Sequence, residues 1–272
     1  MRLLIFGDVV GRSGRDALAQ ALPGLRERLD PDFIIVNGEN AAHGFGITPK
    51  ICDELFELGV DVVTTGNHAW DRREIVPYIE REPRLLRPLN HPAGTPGQGA
   101  GVFNARGGRR VLVIHPMGKL FMPPVEDPFA AVQAALKNHR LGETVHCVAI
   151  DVHAETTSEK TALAVMVDGR ASVVVGTHSH VPTADGRILP GGTAFQCDLG
   201  MCGDYDSVIG MAKEAALARF QSSNGPRLEP ASGIATVCGV WVETDDATGL
   251  ARRFEPVRVG GCLVPCEPLR DR

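Results

Sequence analysis

Five short apolar runs in this sequence each end in a cluster of polar residues, and this pattern restricts the folds that the chain can adopt. The five clusters are Gly7-Asp8, Gly38-Glu39-Asn40, Gly66-Asn67-His68, Asp151-Val152-His153 and Gly176-Thr177-His178-Ser179-His180. Short apolar runs bounded by polar residues predict buried strands. If these strands are parallel, their carboxyl ends lie at one edge of a sheet, where open α/β sheets bind ligands. The pattern therefore predicts one site assembled at one sheet edge.

The first half of the chain alternates strand and helix patterns. Its predicted elements are strands at 3–6, 33–36 and 61–65 and helices at 14–29, 49–58 and from 71 towards 80. Ser13, Thr48 and Asp71 each stand where a helix N-cap is expected, and Pro49 suits a first helical turn. This βαβαβ order implies parallel strands joined by right-handed crossovers.

The second half adds strands, hairpins and three more helices. Predicted strands lie at 101–105, 110–114, 145–150, 171–175, 187–189, 193–196, 233–243 and 252–259, and helices at 129–138, 158–168 and 207–220. Turns such as Pro190-Gly191-Gly192 indicate hairpins. No repeat or linker interrupts the sequence, so residues 1–272 are expected to form a single domain. The expected fold class is an α/β sandwich of two mixed sheets with helices outside.

Composition and charge exclude several classes of protein. The 272 residues are 43% hydrophobic, ample for a sizeable core, and carry a net charge of −5 without a basic tract. An extended nucleic-acid surface is therefore not expected, whereas a small nucleotide or a short RNA end remains a candidate ligand. No secretory signal precedes Gly7, and no apolar run approaches the ~20 residues that span a bilayer. The odd number of cysteines, seven, then predicts reduced thiols and a cytoplasmic protein.

The five clusters together offer a mixed set of oxygen and nitrogen ligands. The groups are carboxylates, amides and imidazoles at Asp8, Glu39, Asn40, Asn67, His68, His153, His178 and His180. His178 and His180 would share one face if the strand continued through them. One metal needs only about four to six of these groups, so the surplus predicts two metals bridged by a carboxylate. Mixed oxygen and nitrogen ligands suit iron, manganese or zinc.

Each of these residues, taken alone, also has an ordinary structural explanation. Asp8 could cap the following helix, and Asn67 could serve a turn, because asparagine tolerates left-handed backbone. Glu39 and Asn40 could belong to a turn as well, and His153 could be a buried histidine with a hydrogen-bond partner. Independent structural roles would not be expected at the ends of five strands in succession. The occurrence of potential ligands at the ends of all five strands therefore favours a metal site.

Five motifs, taken in order, are similar to those of a known enzyme family. They are Gly7-Asp8-Val9-Val10-Gly11, Asn37-Gly38-Glu39-Asn40, Thr65-Gly66-Asn67-His68, Gly176-Thr177-His178-Ser179-His180 and Cys197-Asp198-Leu199-Gly200-Met201. This set resembles the calcineurin-like metallophosphoesterases, and more closely the YmdB-type bacterial phosphodiesterases. The usual Asp-x-His opening of the superfamily is Asp8-Val9-Val10 here, and the usual bridging aspartate is Glu39. Both departures match the YmdB-type branch, in which the asparagine beside the glutamate fills the vacant ligand position.

The resemblance implies a fold, a ligand set and an activity. It implies a four-layer α/β/β/α sandwich with two mixed β-sheets. One metal would be bound by Asp8, Glu39, Asn40 and His180, the second by Glu39, Asn67, His153 and His178, and His68 would stay unligated as the general acid. The implied reaction is hydrolysis of phosphodiesters, including 2′,3′-cyclic nucleotides, with iron or manganese as the expected metals.

Two other classes of function remain open from the sequence. A binuclear centre can also hydrolyse amides or lactones. A regulatory protein could instead bind a nucleotide or RNA and keep its metals for structure. His68, which is surplus to metal binding, favours an enzyme, and the expected partner is a small phosphodiester or cyclic nucleotide rather than a membrane. A homo-oligomer is left open.

Overall fold

Two mixed β-sheets pack face to face, and helices cover the outer side of each sheet. The computed structural model describes residues 1–222 and 225–268. The strands are β1 (Arg2–Phe6), β2 (Asp8–Val9), β3 (Phe33–Asn37), β4 (Val62–Thr64), β5 (Leu85–Leu86), β6 (Ala100–Asn104), β7 (Arg110–Ile114), β8 (Cys147–His153), β9 (Val173–Thr177), β10 (Arg187–Ile188), β11 (Ala194–Gln196), β12 (Met201–Asp204), β13 (Ala235–Thr244) and β14 (Ala251–Val259). The helices are α1 (Gly11–Leu29), α2 (Pro49–Glu57), α3 (Val76–Ile79), α4 (Pro128–Leu136), α5 (Thr157–Met166) and α6 (Lys213–Gln221). Among the described residues, no helix combines the length and the apolar character needed to cross a membrane.

Each sheet has a parallel centre and antiparallel additions. The first sheet has the order β2-β12-β13-β1-β3-β4-β5, with β14 also paired to β13. In it β1, β3, β4 and β5 are parallel neighbours, whereas β13 runs antiparallel to β1. The second sheet has the order β10-β11-β9-β8-β7-β6, and its strands β7, β8, β9 and β11 are parallel. The predicted βαβαβ order and the prediction of two mixed sheets are confirmed.

The alternation of side chains along the central strands separates three apolar layers. In β1, Leu4 and Phe6 belong to the layer that contains α1 and α2, whereas Leu3 and Ile5 belong to the layer between the two sheets. A third layer lies between the second sheet and helices α4 and α5. Burial of each such side chain contributes about 1.5 to 3 kcal/mol, so a change of face by one residue would be strongly unfavourable. This layering confirms the four-layer α/β/β/α sandwich.

Three helix predictions differ from the structure. Helix α1 begins at Gly11 with Val10 as its N-cap, so Ser13 lies inside the helix. The Ser13 hydroxyl does not cap the helix and donates to the Ala231 carbonyl oxygen at 3.0 Å. The helix expected from Asp71 is divided into a 3-10 turn (Arg73–Ile75) and α3, which contains Pro77. Pro77 has no N–H to donate to the carbonyl oxygen four residues earlier, so the α-helical hydrogen-bond pattern is interrupted there.

The helix expected at 207–220 begins later than predicted. Ile209 and Gly210 have φ values of 46° and 93°, which end any right-handed helix there, so α6 begins at Lys213. Strands β2, β5 and β12 were not predicted, because runs of two to four residues are too short for an alternating pattern. Strand β12 matters for the site, since it pairs in parallel with β2 and sets Met201 opposite Asp8.

Loss of the Thr48 hydroxyl should destabilise the protein through α2. This oxygen accepts a hydrogen bond from the Ile51 N–H at 3.3 Å and so caps the first turn. We expect Thr48→Ala to lower the free energy of unfolding by about 1 kcal/mol, measured by urea denaturation. The control is Thr157→Ala at the exposed first residue of α5. It should change the same quantity by less than about 0.5 kcal/mol, and equal effects of both variants would contradict the capping role.

Candidate metal centre

The polar clusters at the carboxyl ends of β1, β3, β4, β8 and β9 meet at one edge of the two sheets. Contacts join residues of different sheets: Asn67 Oδ1 lies 3.1 Å from His153 Nε2, and the His178 N–H donates to Asp8 Oδ2 at 3.1 Å. One potential ligand atom from each of Glu39, His153 and His178 lies within 4.8 Å of the others. All eight residues singled out from the sequence lie at this edge.

One group of side chains surrounds the imidazole of His153. Its Nε2 lies 2.6 Å from Glu39 Oε2, 3.1 Å from Asn67 Oδ1 and 3.2 Å from His178 Nδ1. The rings of His153 and His178 meet edge to face, with centroids 4.8 Å apart. These four side chains are the set expected around the second metal.

A second group surrounds the imidazole of His180. Its Nε2 lies 3.1 Å from Asn40 Oδ1 and 3.9 Å from Asp8 Oδ1. The same Asp8 oxygen is also 3.9 Å from His153 Nδ1, so Asp8 lies between the two groups. The side chains of Asp8, Asn40 and His180 belong to the set expected around the first metal, and their roles as ligands stay a prediction.

Two carboxylate oxygens in this centre are buried and receive no hydrogen bond from the described residues. They are Asp8 Oδ1 and Glu39 Oε2, on side chains that are at most 1% exposed. The 2.6 Å contact between Glu39 Oε2 and His153 Nε2 does not have hydrogen-bond geometry, so no donor serves this oxygen. Acceptor atoms so close together repel each other unless a cation or a proton lies between them. The donor set therefore fits divalent cations.

The electrostatics of the centre also favour a cation. Burial raises the pKa of Asp8 well above its ordinary value, and the carboxylates of Asp198 and Glu39 raise it further. Burial likewise raises the pKa of Glu39. Both shifts report the free-energy cost of holding negative charge here without a counter-ion.

The three histidines of the centre are held in the neutral form that binds metals. Burial lowers the pKa of His153 well below its ordinary value and lowers that of His180. Burial lowers the pKa of His178 to about 3, and nearby His153 contributes to this shift. Neutral imidazoles have a free lone pair at neutral pH, as a metal ligand requires.

In His180 and in His178, an oxygen atom lies beside one ring nitrogen and leaves the other ring nitrogen to face the centre. The His180 Nδ1–H donates to the Ile209 carbonyl oxygen at 2.8 Å, which leaves Nε2 for the centre. His178 Nε2 lies 3.1 Å from Glu155 Oε2, which leaves Nδ1. Such partners fix ring orientation and tautomer in metal sites. The sequence reasoning missed Glu155, because its contact with His178 depends on the fold and has no local signal.

The backbone at His178 and His180 differs from the sequence expectation. Strand β9 ends at Thr177, and His178 and His180 have φ values of 94° and 64°. The expectation that both imidazoles share one strand face is therefore wrong, and they are brought to the centre by a left-handed turn. Such backbone costs about 1 to 3 kcal/mol per non-glycine residue and persists only where surrounding contacts hold it.

A buried ion pair stabilises the turn that contains His178 and His180. Lys160 Nζ lies 2.8 Å from Asp198 Oδ2, and both side chains are 1% exposed. The same carboxylate oxygen accepts a hydrogen bond from the Ser179 N–H at 3.0 Å, while Lys160 donates to the Ser179 hydroxyl at 3.1 Å. The Cys197-Asp198-Leu199-Gly200-Met201 motif thus fixes the residue between the two histidines.

Gly66 is required by the closeness of the two sheets at the centre. A Cβ atom on this residue would lie 1.6 Å from Glu39 Oε2 and 2.3 Å from His153 Nε2. Any side chain here would push apart the glutamate and the histidine that the two sheets bring together. Steric exclusion of any side chain therefore explains why the Gly66-Asn67-His68 cluster begins with glycine.

His68 lies beside the centre with a carboxylate partner of its own. Its backbone N–H donates to Glu39 Oε1 at 3.1 Å, and its ring Nδ1 lies 2.8 Å from Asp71 Oδ2. The ring also meets Phe45 edge to face at 5.1 Å between centroids. Asp71 was predicted as a helix cap, and this is wrong, because the 3-10 turn is preceded by Arg72 and Asp71 is directed to His68. The spacing of three residues between His68 and Asp71 was the signal in the sequence that could have indicated this pairing.

Comparison with known proteins identifies the family. A model of the YmdB-like protein family matches residues 4–257. The chain belongs to the YmdB-like family. The 2′,3′-cyclic-nucleotide 2′-phosphodiesterase of Bacillus subtilis (strain 168) is 45% identical over 259 residues, which cover 95% of this chain and 97% of that protein. The resemblance inferred from the motifs is thereby confirmed.

Two solved structures of similar chains share the whole fold. A hypothetical protein from Thermus thermophilus superposes with a TM-score of 0.89 at 42% identity, covering 96% of this chain and 100% of that one. A phosphatase from Mycoplasma pneumoniae superposes with a TM-score of 0.89 at 32% identity, covering 96% of this chain and 93% of that one. The YmdB-like fold is therefore shared along nearly the full length of all three chains.

Removal of the Glu39 charge should have opposite effects on the metal-free and metal-loaded protein. Because the pKa of Glu39 is raised in the folded state, the metal-free protein loses stability as the pH rises through that pKa. At pH 7.5, Glu39→Gln should raise the free energy of unfolding of chelator-treated protein by about 1 to 3 kcal/mol. It should also abolish the further stabilisation that added Mn²⁺ gives the wild type.

Thermal unfolding with and without Mn²⁺ measures both effects. Glu57→Gln, on the exposed side of α2, is the control and should leave both midpoints as in the wild type. A Glu39→Gln protein that binds Mn²⁺ as tightly as the wild type would contradict the assignment of Glu39 to the metal centre.

Proposed function

We propose that this protein is a binuclear metal-dependent phosphodiesterase that hydrolyses small phosphodiesters, in particular 2′,3′-cyclic nucleotides. One observation carries the proposal: the unpaired carboxylate oxygens of Asp8 and Glu39 are buried among neutral imidazoles and amide oxygens. The names of the relatives, a phosphodiesterase and a phosphatase, support the reaction class. The proposal assigns the activity to one domain of residues 1–272, of which the family model matches 4–257.

Two overlapping sets of side chains would hold the metals. The first set is Asp8, Glu39, Asn40 and His180, and the second is Glu39, Asn67, His153 and His178. Contacts of 2.6 to 3.2 Å within the second set, and of 3.1 and 3.9 Å from His180 to Asn40 and Asp8 in the first, support this division. Glu39 is the member common to both sets. When bound, iron or manganese, or else zinc, would supply positive charge for the phosphoryl oxygens and would acidify water.

His68 would act as the general acid. Hydrolysis of a 2′,3′-cyclic nucleotide forms a bond from the water oxygen to phosphorus and breaks the bond to the 2′-oxygen, which must receive a proton. Asp71 lies 2.8 Å from His68 Nδ1, so it orients the ring and leaves Nε2 for proton transfer. The His68 side chain is 29% exposed, which allows the ring to be reprotonated from solvent.

The substrate class follows from the charge of the chain and from its relative. The product of the proposed reaction is a nucleoside 3′-phosphate, consistent with the 2′-phosphodiesterase named in Bacillus subtilis. The net charge of −5 offers no long track for a nucleic-acid backbone. A mononucleotide or a short RNA end therefore fits better than an extended strand.

A substrate panel tests the proposed function. Chelator-treated protein should hydrolyse 2′,3′-cyclic AMP and bis-p-nitrophenyl phosphate only after Mn²⁺ or Fe²⁺ is restored, and it should leave amides and lactones intact. Metal-dependent turnover of the amides or lactones alone would favour carbonyl hydrolysis. Tight binding of the cyclic nucleotide without turnover at any metal concentration would favour a regulatory protein.

The His68 role can be separated from metal binding. We expect His68→Ala to lower kcat for 2′,3′-cyclic AMP by about 10²- to 10⁴-fold while both metals stay bound, because proton transfer alone is lost. Asp71→Asn should give a smaller loss with the same metal content. His139→Ala, three residues after the end of α4 and outside the site, is the control and should keep full activity. Loss of metal from His68→Ala would make this residue a ligand instead.

A further inference from the structure

A single buried carboxylate, Asp151, joins the two sheets beneath the metal centre. Its Oδ2 accepts hydrogen bonds from the Thr64 hydroxyl at 2.6 Å and from Asn37 Nδ2 at 3.1 Å, both in the first sheet. Its Oδ1 accepts from the Thr177 hydroxyl at 2.8 Å, within the second sheet. His115 Nδ1, which contacts the Asp151 backbone carbonyl oxygen at 2.9 Å, lies 3.4 Å from Oδ2. The side chain of Asp151 is only 4% exposed, so these partners replace water entirely.

The Asp151 carboxylate determines the direction of the Thr177 hydroxyl. A carboxylate can only accept, so the Thr177 O–H donates to Asp151 and its oxygen lone pairs remain for other donors. His153 Nδ1 lies 2.9 Å from that oxygen and must therefore carry the hydrogen. The proton on Nδ1 leaves the lone pair on Nε2, the atom beside Glu39 and Asn67. The hydrogen bonds that run from Asp151 through Thr177 to His153 thus leave Nε2 as the ring atom that can bind a metal.

The same network also reaches the glutamate expected to bridge the metals. The side-chain amide of Asn37 donates to Asp151, and its carbonyl oxygen accepts from the Glu39 N–H at 3.1 Å. One buried carboxylate is therefore connected to a candidate ligand in each sheet. Displacement of either sheet would change both connections together.

We infer that Thr177 and Asp151 are positioning residues that set the affinity of the second metal position through the tautomer and orientation of His153. This inference rests on the proposed binuclear centre and names residues that would act through His153 rather than touch the metals. Partners of this kind typically contribute a factor of about 10 to 100 in metal affinity. None of the four side chains expected at the first position, Asp8, Glu39, Asn40 and His180, makes a hydrogen bond to Thr177, so loss of the Thr177 hydroxyl should affect that position little.

Thr193 offers a matched control for the loss of a buried hydroxyl. It lies just before β11 in the same sheet and is fully buried. Like Thr177, it both donates and accepts, to the Ala171 carbonyl oxygen at 2.7 Å and from the Gly169 N–H at 2.9 Å. Thr193 directly precedes β11, whereas Thr177 is the last residue of β9. Because β9 and β11 run parallel, the two hydroxyls lie at opposite edges of the sheet. Thr193→Val should therefore lose stability without losing metal.

Titration with Mn²⁺, followed through the electron paramagnetic resonance signal of the free ion, tests the inference. The wild type should bind two equivalents. Thr177→Val should keep one equivalent at wild-type affinity and bind the second about 10- to 100-fold more weakly. Thr177→Ser retains the hydroxyl and should restore the second affinity to within about threefold of the wild type. Thr193→Val should bind both equivalents as the wild type does.

The outcomes separate this inference from the proposed function. Unchanged Mn²⁺ binding by Thr177→Val, equal weakening of both positions, or failure of Thr177→Ser to restore binding would each overturn the positioning role. If metal-free Thr177→Val shows no cooperative thermal unfolding, Asp151→Asn decides. It replaces one acceptor oxygen by a donor and should weaken the second position, and unchanged Mn²⁺ binding at that position would overturn the role. A wild type that binds two Mn²⁺ without hydrolysing any phosphodiester would refute the function and leave the inference standing.

Discussion

The burial of two carboxylates at one sheet edge is the constraint on which the rest of this structure depends. Asp8 and Glu39 are almost completely removed from water, and each keeps one oxygen without a donor. In a chain without metals this arrangement would be a defect, because unpaired buried charge is strongly destabilising. The neutral histidines and amide oxygens around the two carboxylates supply no positive charge. The negative charge of the centre is therefore compensated only when cations are bound or when the carboxylates are protonated, in keeping with the raised pKa values of Asp8 and Glu39.

Much of this arrangement could be predicted from the sequence because parallel strands bring their carboxyl ends together. The clusters at Asp8, Glu39 and His153 follow apolar runs, and the structure places them at one edge, as the βαβ order requires. The family followed from the same motifs. The single domain, the ligand roles and the general acid stay predictions, since nothing in the fold alone assigns a role to a side chain.

What could not be predicted depends on contacts between distant residues. The left-handed backbone at His178 and His180 has no local cause, because neither residue is a glycine, and Asp198 and Lys160 hold the turn from other elements. Asp71 lies only three residues from His68, yet the expectation of a longer helix hid that pairing. Short strands such as β12 exist only because neighbouring strands are already in place to pair with them.

The position of β13 in the first sheet has a consequence for the order in which the centre is assembled. β1 lies between β3 and β13, and β13 spans Ala235–Thr244, so the sheet that carries Asp8 and Glu39 is incomplete until that late segment has been synthesised. Every candidate ligand lies at or before His180. During translation, all the candidate ligands are therefore synthesised before the strand that completes the sheet beneath them.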